Sequence, residues 1–243
     1  MTEQTLPQNE MSEAGRLAGI FWEPKPVFES LDARPRFWVP LILTSVLAVL
    51  YIAAFSRVVG WESMLRRQFE SNPRIEQLNP QQKELLLQRS LQFTAPMAYG
   101  GAVIGSAVMY LLIAAVMLGC FNFFGGGTLK YLQAFSITCY SFLPTALATI
   151  LAMVVMFLKD PADFDLQHPL PLNLGAFLSP QTAKWLQALA SSFDLFAFWV
   201  ILLMALGFSV GIKRMSYGKA LTLVLLPWAL MVLVRCGWVA AFS

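Results

Sequence analysis

From Leu195 to Ile212 the chain carries no ionisable side chain, and a second apolar run follows from Ala220 to Val234. Lys213, Arg214 and Lys219 lie between them in a short basic loop. Each run is close to the roughly 20 residues that cross a bilayer core, so the pair reads as a helical hairpin in a membrane. Two charges break the pattern: Asp194 at the start of the first run and Arg235 deep in the second. In an antiparallel hairpin, residues at equal height have numbers with a constant sum. The midpoint of these two falls inside the basic loop, so both lie at similar depth, about 25 Å from the loop at 1.5 Å per residue. An ionisable group at that depth is costly unless paired, which makes Asp194 and Arg235 a candidate pair facing each other across the hairpin. The plainer reading is that both snorkel to the far interface and only set helix register.

The rest of the chain fits an all-α polytopic membrane protein. Of 243 residues, 57% are hydrophobic and 13% charged, about half the charged share of a soluble domain. A net charge of +3 gives no basis for a nucleic-acid partner. Trp38, Trp61, Trp185, Trp199 and Trp238 fall near expected segment ends, as in an interfacial aromatic belt. Cys120, Cys139 and Cys236 lie in apolar segments without a C-x-x-C pair, which points to neither a disulfide framework nor a metal site. The first 36 residues carry Glu3, Glu10 and Glu13 and lack the apolar core of a signal peptide.

Five membrane helices are expected. Residues 1–10 read as disordered. Met11, Ala14, Leu17, Ala18 and Phe21 recur at helical spacing after Ser12, a natural cap, and Pro24 and Pro26 stop that helix. Residues 1–36 thus form an N-terminal segment whose short helix lies on the membrane surface or docks on the protein's own helices. The membrane domain is residues 37–243. Its first helix is Phe37 to Phe55. Residues 56–92 form an outer helical insert: Trp61, Met64, Leu65 and Phe69 suit one amphipathic helix, and Asn79-Pro80 opens another through Leu86, Leu87 and Leu91. The second membrane helix spans Pro96 to Phe121, within the charge-free stretch between Arg89 and Lys130. The third is Tyr131 to Leu158, which Pro144 should kink, freeing a backbone carbonyl. Residues 159–184 form a loop, and Pro227 marks a second mid-helix kink in the hairpin.

Five spans put the termini on opposite sides. With the N-terminus cytoplasmic, eight basic residues fall inside (Arg16, Lys25, Arg34, Arg36, Lys130, Lys213, Arg214, Lys219) and eight outside (Arg57, Arg66, Arg67, Arg74, Lys83, Arg89, Lys159, Lys184). The count is a tie, and the dense pairs beside helix ends favour the N-terminus inside.

Four stretches resemble bacterial Yip1-domain proteins: RLAGIFWEPKPVFESLDARPRFWVPLIL (Arg16 to Leu43), GGGTLKYLQAFSITCYSFLP (Gly125 to Pro144), PLNLGAFL (Pro171 to Leu178) and SSFDLFAFWVILLMALGFSVGIKRMSYGKAL (Ser191 to Leu221). The resemblance covers almost the whole chain, in the family's order. It implies that Asp194, Phe196 and Trp199 occupy recurrent family positions, and that Tyr140 and Pro144 are the family's central tyrosine and proline. Eukaryotic relatives are multi-spanning proteins of early secretory membranes, associated with vesicle traffic and prenylated small GTPases. The bacterial branch has no general biochemical activity assigned, and GTPase binding is not carried over to this chain.

Motifs for chemistry fail on context. Gly207-Phe-Ser-Val-Gly211 fits G-x-S-x-G but sits inside an apolar helix, and His168, the sole histidine, lies in a loop expected on the other side. Gly125-Gly126-Gly127 lacks the G-K-[ST] of a phosphate loop. Asp160, Asp163, Asp165 and His168 lack the glycine and glutamate of an EF-hand and read as a solvated acidic turn. No catalytic, cofactor-binding or metal residue is assigned, and no cofactor. Two readings remain. One is a non-enzymatic inner-membrane scaffold or organiser, with membrane lipids, a membrane-protein partner or a second copy of the chain as partners. The other is a small transporter or channel lined by the helices kinked at Pro144 and Pro227 and by the Asp194/Arg235 pair.

Overall fold

The computed structural model describes residues 11–242 apart from Ser71, Gln167 and Pro180. The disorder expected of residues 1–10 lies outside them. The chain folds into α1 (Glu13–Trp22), α2 (Pro24–Ala33), α3 (Trp38–Val58), α4 (Trp61–Glu70), α5 (Pro73–Glu76), α6 (Pro80–Gly100), α7 (Ser106–Phe123), α8 (Tyr131–Ser141), α9 (Leu143–Leu158), α10 (Lys184–Ser191), α11 (Leu195–Gly211) and α12 (Tyr217–Phe242). The all-α class holds, and the described residues contain no β-strand beyond one isolated bridge, Asn173 to Asp194.

Four helical runs are long and apolar enough to cross a membrane: Trp38–Val58, Pro80–Phe123, Tyr131–Leu158 and Tyr217–Phe242. α11 is the fifth apolar helix and is shorter, at 17 residues. One expectation is corrected. The helix opened by Asn79-Pro80 and the membrane helix expected from Pro96 are a single run of 44 residues, continuous through a π-turn at Gly101–Gly105. Pro96 lacks an N–H and leaves one carbonyl of the preceding turn unbonded, which a helix tolerates without ending. At Pro144 the outcome differs: the helix breaks at Phe142, and Thr145 bonds back to the Phe142 carbonyl through its N–H (2.9 Å) and its hydroxyl (2.6 Å). Pro227 lies inside an uninterrupted α12.

The helices form two compact units. The first comprises Met1–Ile42, Tyr110–Thr145 and Leu172–Ser243, and α11 is its centre, packed by α2, α8, α12 and the end of α7. Gly207 explains how α2 and α8 both reach α11. A Cβ there would come within 2.5 Å of Ile137 and 2.8 Å of Phe28, so a side chain would force these helices apart. Phe208 is fully buried and stacks on Phe121 at 4.3 Å between ring centres. Val27, Phe28 and Leu31 of α2 are each at most 1% exposed, and burying side chains of this size is worth about 1.5–3 kcal/mol apiece. The apolar face of α2 is therefore docked on the protein's own helices. The turn after α7 is closed by Asn122, which donates to the Leu129 carbonyl (3.1 Å) and accepts from its N–H (3.1 Å). Gly126 takes φ +71° within it, a conformation that a residue with a Cβ adopts only under strain.

The second unit comprises Leu43–Met109 and Ala146–Pro171. Phe55, Val59, Trp61, Met156 and Phe164 form its core, and α4 packs on α6. Asn79 caps α6 in a reciprocal box: it accepts from the Gln82 N–H (2.8 Å), and its own N–H donates to Gln82 (3.2 Å).

Candidate functional site

α8 is the most deeply buried helix of the first unit: every residue from Ala134 to Ser141 is buried. Its polar members are mostly satisfied within the helix. Ser136 donates to the Leu132 carbonyl (2.8 Å) and Thr138 to that of Ala134 (2.8 Å). Ser141 Oγ is buried without a hydrogen-bond partner among the described residues, and Tyr140 reaches outside the helix. Its side chain is fully buried and its hydroxyl donates to Glu13 Oε2 at 3.0 Å, across 127 positions of sequence.

Glu13 stands in the first turn of α1, where a carboxylate is favoured by the helix dipole and where Ser12 caps the helix by accepting from the Gly15 N–H (3.1 Å). Its other oxygen accepts from Arg16 Nη1 and from Arg36 Nη1, both at 2.9 Å. Arg16 is only 4% exposed, and its Nε donates to Ser30 Oγ of α2 at 3.1 Å. One carboxylate thus ties α1, the chain just before α3 and α8 together, and its partner Arg16 adds α2 through Ser30. Burial alone would raise the Glu13 pKa. The hydrogen bonds from Arg36 and Tyr140 and the charges of Arg16 and Arg36 outweigh it, and the carboxyl is held below its ordinary value.

A second contact lies along α11. Phe21 of α1 meets Trp199 edge-on at 5.7 Å between ring centres, and Trp199 stacks with Phe196 at 6.4 Å. Phe196 is buried. Phe28 packs at Gly207, and Asp32 Oδ1 lies 3.9 Å from where a Cβ of Gly211 would sit. The N-terminal helices therefore run along α11 from Trp199 to Gly211, about 18 Å.

The expected Asp194–Arg235 pair is not formed. Asp194 is the N-cap of α11, and its Oδ1 accepts from the N–H groups of Phe196 (2.9 Å) and Ala197 (3.0 Å). Bonded at a helix N-terminus, the carboxylate already has its donors and the positive end of the dipole, and needs no cation. The preceding strand of loop fixes it further: Leu195 N–H donates to the Leu172 carbonyl (3.0 Å) and Leu174 N–H to that of Phe193 (3.2 Å). Two of the family-like stretches, PLNLGAFL and SSFDLFAFW, are thus hydrogen-bonded to each other. Arg235 is exposed on α12, on a surface it shares with Leu233, Val234 and Trp238, and forms no ion pair among the described residues. Equal height was a property of the numbering; the rotation of α12 about its axis points Arg235 elsewhere.

The Gly207–Gly211 motif is plain helix within α11, and Ser209 Oγ donates to the Leu206 carbonyl (2.8 Å). The acidic turn uses Asp160 to accept from the Ala162 N–H (2.8 Å), and Asp165 sits 3.1 Å from His168.

A family model described as the Yip1 domain matches residues 18–237. The chain belongs to the Yip1 family. Tyr140, Asp194, Phe196, Trp199 and Arg36 lie within the matched segment, whereas Glu13 and Arg16 precede it. Among curated proteins the chain is similar to the Membrane protein YknW of Bacillus subtilis (strain 168), 22% identical over 198 residues that cover 81% of this chain and 78% of that one. No solved structure matches. The sequence named Tyr140 and Trp199 as candidates through the family resemblance, without their partners, and did not single out Glu13, Arg16 or Arg36. The available signal was an acidic residue directly after the cap Ser12 with an arginine one turn on.

Proposed function

We propose that this Yip1-family protein is a non-enzymatic organiser of the cytoplasmic (inner) membrane, acting through lipid and protein contacts of its helix faces. In this reading all five apolar helices cross the bilayer, α11 included, with the N-terminus cytoplasmic. The observation that carries it is how the polar groups are used. Glu13, Arg16, Ser30 and Tyr140 are bound to one another and clamp the N-terminal helices onto α8. Large apolar side chains such as Leu112, Val116, Leu230 and Leu233 stay exposed, as lipid-facing or partner-facing residues do. Transport has less support, because the ion pair that would line its path is replaced by a helix cap and an exposed arginine.

The reading is tested with photo-crosslinking residues at positions 112 and 233 in living cells, followed by mass spectrometry of the adducts. Organiser function predicts adducts with lipid and with a small reproducible set of membrane proteins. In parallel, purified protein in sealed vesicles is assayed for solute and ion flux. A gradient-driven flux through the wild type that Tyr140→Phe or Asp194→Ala abolishes would overturn the reading in favour of transport.

A further inference from the structure

Beside the C-terminal end of α11 the docked N-terminal helices leave an open groove of about 550 Å³, a volume in the range of small-molecule sites. Lys25, Glu29 and Asp32 of α2 line one side. Their spacing of four and three residues puts them on one helix face, with about 10 Å along the axis between the first and last. All three are exposed, and their mutual contacts are loose: Lys25 and Glu29 approach only to 3.9 Å. Asp32 Oδ1 accepts from Gln133 Nε2 (3.0 Å) and lies over Gly211, at the end of α11. That end has no basic residue in its last turn, so its final carbonyls add partial negative charge. Among the lining residues the end near Gly211 is thus anionic and the other carries an ammonium, while Lys213 and Arg214 follow Gly211 in the loop and do not line the groove. The facing wall is apolar at Leu206, Val210 and Met215, with Ser209 among them, and no aromatic ring lines the groove.

We propose that this groove holds the headgroup of a zwitterionic phospholipid whose amine is a primary ammonium. Lys25 takes the phosphate, Glu29 and Asp32 take the ammonium, and the apolar wall takes the glycerol end of the chains. The order along α2 fits a bilayer, in which phosphate lies deeper than amine: Lys25 is the farther from Gly211 and Asp32 the nearer. The charge pattern also selects the amine. A primary ammonium donates three hydrogen bonds to carboxylates, whereas a quaternary ammonium donates none and is held by aromatic cages, absent here. The proposal rests on the reading that α11 crosses the membrane with Gly211 at the headgroup level.

The test uses the full chain in detergent with equimolar phosphatidylethanolamine and phosphatidylcholine of identical acyl chains, and counts bound lipid by native mass spectrometry. Wild type should retain the ethanolamine lipid over the choline lipid by about tenfold, which is about 1.4 kcal/mol. Glu29→Gln with Asp32→Asn should erase that preference. Both changes preserve size, and the amide oxygen introduced by Asp32→Asn can still accept from Gln133. Glu29→Gln alone, at an exposed position, should lower it partway. Ser209→Phe, which fills the groove without altering charge, should lose both lipids. Free phosphoethanolamine at equal concentration should not displace the lipid, and full displacement would make the ligand a soluble phosphoamine instead. Equal retention of both lipids, a preference that survives the double change, or, when phosphatidylglycerol is added to the mixture, a preference for that anionic lipid that disappears with Lys25→Gln would each overturn the proposal. Cysteine labelling at position 213 in intact and lysed cells reads the placement of α11 separately. Labelling that contradicts a cytoplasmic position beside an intact lipid preference sinks the span assignment and leaves the site standing.

Discussion

Glu13→Gln, Tyr140→Phe and their combination test whether one carboxylate holds the N-terminal helices in place. The Tyr140 hydroxyl loses a bond to a charged acceptor, of a kind worth about 1.5–3 kcal/mol. Glu13→Gln also strips Arg16 of its counterion, and an unpaired charge in a fully buried site costs about 3–5 kcal/mol. Here the Glu13 side chain is 30% exposed and Arg36 51%, so water reaches the cluster, and the Arg36 pair adds at most about 1 kcal/mol. Glutamine keeps one acceptor. A loss of about 2–3 kcal/mol is expected for Glu13→Gln and about 1–2 for Tyr140→Phe, with a coupling of about 1 kcal/mol in the double-mutant cycle. Unfolding in mixed micelles by denaturing detergent, followed by circular dichroism, gives the energies, and hydrogen exchange of residues 13–22 locates them. Losses below about 0.5 kcal/mol, or strict additivity with no change in exchange of α1, would refute the clamp.

The clamp also predicts a pH dependence. The folded pKa of Glu13 is lowered from the ordinary 4.5. Its contribution is therefore fully present above the unfolded value and is lost as pH falls below 4.5 through the folded value. Glu13→Gln should flatten that part of the stability profile.

Gly207→Ala should destabilise the protein by about 1–3 kcal/mol, and Phe28→Ala should recover part of this loss in a thermal double-mutant cycle, because the added Cβ meets the Phe28 ring. Asp194→Ala should cost about 1 kcal/mol and Asp194→Asn only a few tenths, since asparagine also caps helices; Arg235→Gln should be near neutral and additive with either, and a coupling above about 0.5 kcal/mol would restore the ion pair. A C-terminal fusion to a reporter active only in the cytoplasm should be silent if all five helices cross, and a bright fusion would remove one crossing.

The elements that the sequence made legible are those set by local chemistry. The charge-free runs Phe37–Phe55, Tyr131–Leu158 and Ala220–Val234 marked the helices that the structure begins at Trp38, Tyr131 and Tyr217, and Asn79-Pro80 marked the start of α6, where a capping box needs only residues 79–82. The break beside Pro144 follows from a missing N–H and a ring clash within one turn. What stayed hidden depends on rotation and distance. Tyr140 meets a residue 127 positions away, and no period in either helix announces it. Asp194 misled because a charge before an apolar run was read for its depth. The same charge is an N-cap signal, and capping is the cheaper way to satisfy it. Pro96 misled in the opposite sense: a proline reads as a boundary, yet the helix passes through it and on into a π-turn at Gly101–Gly105.

The clamp and the groove are coupled by construction. The groove's charged side belongs to α2, and α2 is held to α8 and α11 by Phe28 at Gly207 and through Ser30, which receives the Arg16 bond. A lipid that binds the groove therefore binds only the docked form of the N-terminal helices. Mass action then stabilises docking by RT ln(1 + [L]/Kd), about 2.7 kcal/mol at a hundredfold excess over Kd. That is comparable to the loss expected from Glu13→Gln. Reciprocity requires that loosening the clamp weaken the lipid by the same factor. Glu13→Gln lies outside the groove and leaves Lys25, Glu29 and Asp32 intact, yet it should lower retention of the ethanolamine lipid in proportion to the undocked fraction. Excess lipid should in turn restore slow hydrogen exchange to residues 13–22 of that variant. Lipid retention unaffected by Glu13→Gln in a sample whose α1 exchanges freely would show that the groove persists without the clamp, and would uncouple the two.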